Sequence, residues 1–258
     1  MFKAALERRR QKHRTTKYPA EPAVLPELFR GYPRLNQSLC PSGCHACIEV
    51  CPTGAVCNLN GLTLDMGRCL FCPECIRACP TGAIAFEQDE KLASSEREDL
   101  VVRENEERRL AHAMGRELVS LFGRSFKLRQ VCAGGCNACE ADTNVLSTVG
   151  FDLGRFGIQF VASPRHADGM FVTGPVTEHM RSALLKTWEA IPGPKVVIAS
   201  GACAISGGPY RGHREVHDGV DTFLPVDLYI PGCPPHPLTI LDGLLRLVGR
   251  LQEVSEHR

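Results

Sequence analysis

The sequence predicts an α+β unit followed by an α/β unit with a parallel sheet. The 14 cysteines of the 258 residues fall into two blocks, and the second block lies among short apolar runs that alternate with helical patterns. The composition is that of a globular chain, with 43% hydrophobic and 23% charged residues. A formal net charge of +1 provides no strong field to attract nucleic acid, so no nucleic-acid partner is expected.

The N-terminus is basic, but it has no apolar run long enough for a signal peptide. No stretch approaches the ~20 apolar residues that cross a bilayer. The cysteines are therefore expected to be reduced, and reduced cysteines in this number indicate metal. The stretch from Lys3 to Lys17 carries seven Lys or Arg and one Glu. Such a run is a solvated arm, a docking segment for a partner or a contact for anionic lipid.

Four segments follow from these patterns. Residues 1–35 form a basic arm and an extended segment, and residues 36–95 form the first cysteine-rich domain. Residues 96–124 are predicted as a linker helix, because Leu110, Met114, Leu118 and Leu121 recur at helical spacing and Gly123 provides an end. Residues 125–258 form the α/β domain.

The first cysteine block contains an internal repeat. Cys51-Pro-Thr-Gly-Ala returns 28 residues later from Cys79, which predicts two small units packed about a pseudo-two-fold axis. The second copy has the C-x2-C-x2-C-x3-C-P spacing of bacterial ferredoxins, in which the fourth cysteine binds the other cluster. This predicts a ferredoxin-like domain with two 4Fe–4S clusters. The ligands are Cys40, Cys44, Cys47 and Cys79 for cluster 1, and Cys51, Cys69, Cys72 and Cys75 for cluster 2.

Two features of this block leave room for other readings. The interval from Cys40 to Cys44 is one residue longer than its counterpart from Cys69 to Cys72, which opens the possibility of a three-iron cluster 1. Two zinc knuckles are the alternative to clusters. Cys57 falls outside the pattern and is interpreted as a buried packing residue.

The second half alternates strand and helix patterns. Strands are predicted at Phe126–Val131, Gly157–Ala162, Gly169–Thr173 and Lys195–Ala199, and helices at 137–149, 176–190 and 238–251. In a parallel sheet, sites form beyond the carboxyl ends of the strands. The loops that carry Cys136, Cys203 and Cys233 are candidates for that edge, with structural zinc as an alternative occupant.

Specific motifs in this half carry a resemblance to a known family. They include Gly134-Gly-Cys-Asn-Ala-Cys-Glu140, Ser163-Pro-Arg-His-Ala-Asp168, Gly201-Ala-Cys203 and Pro225-Val-Asp-Leu-Tyr-Ile-Pro-Gly-Cys-Pro-Pro235. From Phe126 onward the chain resembles the small subunit of formate hydrogenlyase and other group-4 nickel–iron hydrogenases, and through them the B subunit of complex I. The N-terminal part resembles the ferredoxin-like subunit of the same complex, so the chain looks like two subunits fused into one.

This resemblance implies a flavodoxin-like fold and a third 4Fe–4S cluster held by Cys136, Cys139, Cys203 and Cys233. It implies an electron-transfer subunit of a formate hydrogenlyase or energy-converting nickel–iron hydrogenase, peripheral on the cytoplasmic side of the inner membrane. The implied partners are a hydrogenase-like large subunit, a further iron–sulfur or formate dehydrogenase subunit, and integral membrane subunits. A complex I-type quinone oxidoreductase is the near alternative, and a zinc-bound assembly scaffold is the alternative from another class.

Four more residues are candidates for a role beside the clusters. Glu140 adjoins a ligand, and its role is either proton transfer or hydrogen bonding near the cluster, or capping of a helix start. Arg165 and His166 are candidates for placing positive charge near the cluster, with a loop salt bridge as the alternative. Cys132 is interpreted as a packing thiol that could compete as a ligand.

Overall fold

The computed structural model describes residues 2–12 and 14–251. Helix α1 (Phe2–Gln11) leads into an extended segment that reaches the first strand. The side chains of α1 from Lys3 to Arg10 are all exposed. The following segment lies on the second half of the chain, because the backbone N–H of Thr16 donates to the carbonyl of Gly150 at 2.8 Å. No helix among the described residues is both long and apolar enough to cross a membrane.

The N-terminal unit is built from two small antiparallel sheets and two short helices. One sheet pairs β1 (Pro33–Leu35) with β4 (Ile84–Phe86), and the other has the order β2 (Val56–Cys57), β3 (Thr63–Asp65), β5 (Val101–Arg103). The helices are α2 (Ala46–Glu49) and α3 (Glu74–Ala78). Each helix carries one buried cysteine, Cys47 in the first repeat and Cys75 in the second.

The C-terminal unit is a five-stranded parallel sheet in the order β10-β9-β8-β6-β7. Its strands are β6 (Phe126–Cys132), β7 (Ile158–Phe160), β8 (Gly169–Thr173), β9 (Val196–Ser200) and β10 (Leu228–Ile230). Its helices are α4 (Arg116–Phe122), α5 (Ala138–Val145), α6 (Glu178–Ala190), α7 (Ala202–Ser206) and α8 (Pro237–Leu247).

Both faces of this sheet are covered. Every residue of β8, β9 and β10 is buried, as expected for strands that lie between two layers. Successive side chains of β8 point to opposite faces. Met170 and Val172 therefore join the core that continues into the N-terminal unit, whereas Phe171 joins the core beneath α8.

The α/β half of the sequence prediction is confirmed. The four predicted strands and three predicted helices correspond to β6–β9 and to α5, α6 and α8, with ends that differ by a few residues. The sequence pattern does not predict β10, because three residues are too few to show a period. The ferredoxin-like assignment of residues 36–95 stays a prediction.

The linker helix predicted over 96–124 is wrong for most of its range. Only Arg116–Phe122 is helical. Val101–Arg103 instead pairs with β3, and the backbone N–H groups of Ala111 and Met114 donate to the carbonyls of Ala93 and Leu247. Tertiary hydrogen bonds thus satisfy backbone groups that a helix would have satisfied locally, and this tertiary context overrides the helical propensity of the segment.

Candidate metal centres

The first group of cysteines comes from both ends of the N-terminal repeat. Burial raises the pKa of the Cys47 thiol, and the charges of Cys79, Cys40 and Cys44 raise it further. These four side chains are therefore close enough to repel one another as thiolates. They are the four residues that the spacing assigns to cluster 1.

The second group has the same construction. Burial raises the pKa of Cys69 to about 12, against the hydrogen bond that the Phe71 N–H donates to its sulfur at 3.2 Å, and the charges of Cys75, Cys51 and Cys72 add to the rise. Burial likewise raises the pKa of Cys75 to about 11. The structure thus brings together the four residues assigned to cluster 2.

The repeated Cys-Pro-Thr-Gly-Ala motif gives its two cysteines matching surroundings. The N–H of Ala55 donates to the Cys51 sulfur at 3.2 Å, and the N–H of Ala83 donates to the Cys79 sulfur at 3.2 Å. Burial alone would raise the pKa of each thiol, but backbone N–H groups outweigh it and lower the pKa. N–H donors at a thiolate sulfur are the outer contacts that tune an iron–sulfur centre.

The third group lies at the carboxyl edge of the parallel sheet. Cys136 and Cys139 follow β6, with Cys139 in the first turn of α5. Cys203 follows β9 in the first turn of α7, and Cys233 follows β10. The backbone of Gly201 lies close to the Cys139 side chain. A Cβ at Gly201, where φ is +91°, would lie 2.7 Å from the Cys139 sulfur. A glycine is therefore required there.

The proximity of these four thiols affects their pKa values. Burial raises the pKa of Cys139, followed by the charges of Glu140, Cys203, Cys233 and Cys136. Burial also raises the pKa of Cys203 to about 12, with Cys233 and Cys136 as the next causes. Cys136 and Cys233 are exposed, so this group opens onto the surface of the chain.

Glu140 lies behind the third group and is 8% exposed. Its Oε1 accepts a hydrogen bond from the Thr173 hydroxyl at the end of β8. Cys132 also contacts this carboxylate: burial raises the pKa of the Cys132 thiol, and its hydrogen bond to Glu140 raises it further. Glu140 thus connects Cys132 and Thr173 beside the ligand Cys139.

The structure does not bring Arg165 and His166 to the cysteines. They lie in a 3₁₀ turn directly before β8, at the amino edge of the sheet, in a depression that Lys127 and Asp168 also line. The third group lies at the opposite, carboxyl edge. The motif that contains Arg165 and His166 could not reveal this position from sequence alone. These residues precede strand β8, and the length of that strand separates them from the edge of the sheet that carries the cysteines. Cys57 lies in β2 and is partly buried.

The three groups lie next to one another in a series. The charge of Cys47 in the first group contributes to the raised pKa of Cys75 in the second, although burial is the main cause. Burial raises the pKa of Cys233 in the third group, and the charge of Cys72 in the second group contributes. Cys72 and Cys233 also line one open depression of about 370 Å³ at the junction of the two units.

The donor sets fit iron–sulfur clusters. None of the 14 cysteines, all of which are described, forms a disulfide. Each group supplies four soft thiolates. Burial, followed by the charge of neighbouring thiolates, raises the pKa of six of them, and bound cations would relieve that repulsion. These six are Cys47, Cys69, Cys75, Cys139, Cys203 and Cys233. Within the described residues, no three His, Cys, Asp or Glu side chains are close enough to hold one metal ion. In a four-iron cubane each thiolate binds a different iron, so its ligands stand further apart than those of a single ion.

Comparison with known proteins extends this picture. Residues 136–247 match the family model described as NADH ubiquinone oxidoreductase, 20 Kd subunit. Formate hydrogenlyase subunit 7 of Escherichia coli (strain K12) is 43% identical over 146 residues, which are 57% of this chain and 57% of that protein. The chain thus spans little more than half the length of this relative.

Two further relatives are covered over most of their length. The probable membrane-bound hydrogenase subunit mbhJ of Pyrococcus furiosus is 37% identical over 150 residues, 58% of this chain and 90% of that protein. The B subunit of NADH-quinone oxidoreductase from Clostridium beijerinckii is 47% identical over 123 residues, 47% of this chain and 73% of that protein.

The parallel sheet with cysteines at its carboxyl edge, beside a cysteine-rich unit, defines an oxidoreductase subunit of iron–sulfur type. More narrowly, the chain belongs to the family of the 20 Kd subunit of NADH ubiquinone oxidoreductase, which includes hydrogenase small subunits.

Proposed function

We propose that the chain is the electron-transfer subunit of a membrane-associated formate hydrogenlyase or energy-converting nickel–iron hydrogenase, and that it carries three 4Fe–4S clusters. The observation that supports this most is the grouping of twelve cysteines into three sets of four, placed in series from the N-terminal unit to the sheet edge. When bound, such clusters accept and donate single electrons.

The residues of the chain have separable tasks in this proposal. Cys40, Cys44, Cys47 and Cys79 hold the first cluster, Cys51, Cys69, Cys72 and Cys75 the second, and Cys136, Cys139, Cys203 and Cys233 the third. Cys69 and Cys75 are buried, which shields two of the four sulfurs of the second site from water. The exposure of Cys136 and Cys233 leaves the third site open to a large subunit.

The hydrogenase reading is supported by the spacing Cys136-x2-Cys139, since the complex I pattern has adjacent cysteines at this position. It is also supported by the 43% identity to a formate hydrogenlyase subunit. On this proposal the partners are a nickel-containing large subunit, a further iron–sulfur or formate dehydrogenase subunit and integral membrane subunits. The chain would then be peripheral on the cytoplasmic side of the inner membrane.

A complex I-type quinone oxidoreductase is the second candidate, and the 47% identity to the B subunit of an NADH-quinone oxidoreductase favours it. Metal analysis of the complex purified through a tag on this chain separates the two candidates. A co-purified large subunit with bound nickel supports the hydrogenase. A large subunit without nickel, in a preparation that reduces a quinone analogue, supports the quinone oxidoreductase.

The cluster content is tested on anaerobically purified chain. Iron and acid-labile sulfide should each amount to about twelve atoms per chain, and dithionite-reduced protein should show the electron paramagnetic resonance of reduced 4Fe–4S clusters. About eleven irons would indicate a three-iron first cluster, and about eight would remove one cluster from the proposal. Stoichiometric zinc without an iron–sulfur signal would support the assembly scaffold instead.

A further inference from the structure

The two units contact each other between the segment that carries Cys69 of the second group and the helix that carries Cys203 of the third. Residues 65–69 end at Cys69, and α7 carries Cys203. Between them, the hydroxyl of Ser206 lies 2.9 Å from the carbonyl oxygen of Gly67 and 3.0 Å from that of Ala202 in its own helix. Ser206 is 4% exposed, so this hydrogen bond across the junction is shielded from water.

Gly67 permits this approach because it has no side chain. A Cβ at this position would lie 2.8 Å from Cγ2 of Ile205 in α7 and 2.8 Å from Cζ of Arg97. Real Cβ atoms hardly ever come so close to other heavy atoms, so a larger residue would displace the Ile205 and Arg97 side chains or move the Cys69 segment away from α7. The separation of the two ligand segments thus depends on one glycine.

Arg97 holds the same segment from the other side. Its Nη1 and Nη2 donate to Oδ1 and Oδ2 of Asp65 at 2.9 and 2.7 Å, and such forked pairs are strong and directional. Burial by itself would lower the pKa of Arg97, but the hydrogen bond and charge of Asp65, with the charge of Asp221, raise it. The guanidinium therefore lies between an acid of each unit.

The segment that bears Arg97 is itself fixed to the α/β unit. Ser94 and Tyr229 exchange two backbone hydrogen bonds, at 3.0 and 2.8 Å, as an antiparallel bridge on β10. Tyr229 lies four residues before Cys233. Arg97 thus connects the Cys69 segment, through its ion pair with Asp65, to strand β10, which leads to the third group.

We propose that Gly67, Arg97 and Ser206 are positioning residues that hold the second cysteine group against the third and so set the distance over which an electron passes between the units. This inference rests on the proposed function, because it presumes clusters at both groups. Electron tunnelling weakens steeply with distance, so a small displacement of the Cys69 segment should slow the transfer while each cluster stays intact.

The test uses the full chain, purified anaerobically, with the variant Arg97→Gln/Ser206→Ala. We expect unchanged iron and sulfide content, a weaker magnetic interaction between the second and third clusters in reduced protein, and a severalfold slower electron transfer between them after pulse reduction. The matched control is Arg103→Gln/Ser147→Ala. It removes an ion pair within the N-terminal unit and a local hydroxyl bond in the α/β unit, and it should leave both readouts unchanged.

A milder variant, Arg97→Lys, tests the same proposal with a smaller change to the fold. Arg97→Lys keeps the charge but cannot form the forked pair, and it should weaken the magnetic interaction in the same direction. The proposal is overturned if the iron-replete Arg97→Lys and double variants match the wild-type interaction and rate. Absence of any iron–sulfur signal from the wild-type chain would instead contradict the proposed function, so the two failures are distinguishable.

Discussion

Cys132 and Cys136 lie four positions apart, but only Cys136 is assigned as a ligand of the third cluster. Both are exposed near the carboxyl end of β6. Cys136 contributes to the electrostatic environment of Cys139 and Cys203, whereas Cys132 contacts Glu140. We expect Cys132→Ser to retain about twelve irons per chain and Cys203→Ser to fall toward about eight. Iron and sulfide analysis measures this, and loss of the third cluster in Cys132→Ser would show that the ligand set is wrong.

A buried polar network on α8 offers a second prediction at this scale. Arg246 Nε donates to Asp242 Oδ2 at 2.7 Å, and the Tyr18 hydroxyl donates to Oδ1 at 2.8 Å. Asp242 is fully buried. Arg246→Met leaves the carboxylate without its charged partner, so it should lower the free energy of unfolding by about 3–5 kcal/mol.

The double variant Arg246→Met/Asp242→Leu should recover part of that stability, because it removes the charge together with its partner but leaves the Tyr18 hydroxyl without its acceptor. Urea denaturation followed by circular dichroism provides the measurement. If the single and double variants unfold at the same urea concentration, the loss of stability in Arg246→Met is not caused by the uncompensated charge of Asp242.

Among the elements, α1 is distinctive because its described side chains make no packing contact that buries them. Among the described residues that follow α1, Thr15 and Thr16 bond to the carbonyls of Val149 and Gly150. A deletion of residues 2–12 therefore removes the basic helix and spares the anchored segment.

Of the three interpretations of this basic arm, docking on a partner predicts that the deletion reduces the amount of partner subunits that co-purify with the chain, because the exposed helix would supply part of that contact. Binding to vesicles of phosphatidylglycerol should remain unchanged, as should the iron content. If vesicle binding falls instead while partner recovery stays constant, the helix is a lipid contact, driven by basic residues that each contribute ~1 kcal/mol near an anionic surface.

The elements also show where sequence patterns suffice. Strands β8 and β9 are mostly apolar runs of five residues, and every residue in them is buried between two layers. Their composition therefore predicts their burial. Residues 96–115 show the opposite case. Their helical spacing is real, but pairing of Val101–Arg103 with β3 satisfies the backbone by contacts from elsewhere in the chain.

On the scale of the whole molecule, the two units share an interface within one chain. The Ser94–Tyr229 bridge, the Ser206–Gly67 hydrogen bond and the anchoring of Tyr18 on α8 all cross it. A protease site inserted at the exposed residues 105–107 should therefore yield two fragments that remain associated. Size-exclusion chromatography of the cleaved, cluster-loaded protein measures this, and separate elution of the fragments would contradict it.

The chemistry of the molecule is readable from the sequence. The spacing of Cys69, Cys72 and Cys75 is a local property, because three thiolates within seven residues come from one short stretch of chain. The alternation of apolar runs and helical patterns in the second half is equally local, and it predicts the parallel sheet. Motif resemblance predicts the family.

Only the tertiary structure decided which distant parts meet. It placed Arg165 and His166 at the edge of the sheet opposite the cysteines, and it set Gly67 against α7. It replaced most of a predicted helix by a three-residue strand and irregular backbone. It also placed Cys72 and Cys233 on one depression, so that three separate cysteine groups became a series. Such contacts depend on packing between residues far apart in sequence, and no local pattern encodes the distance between them.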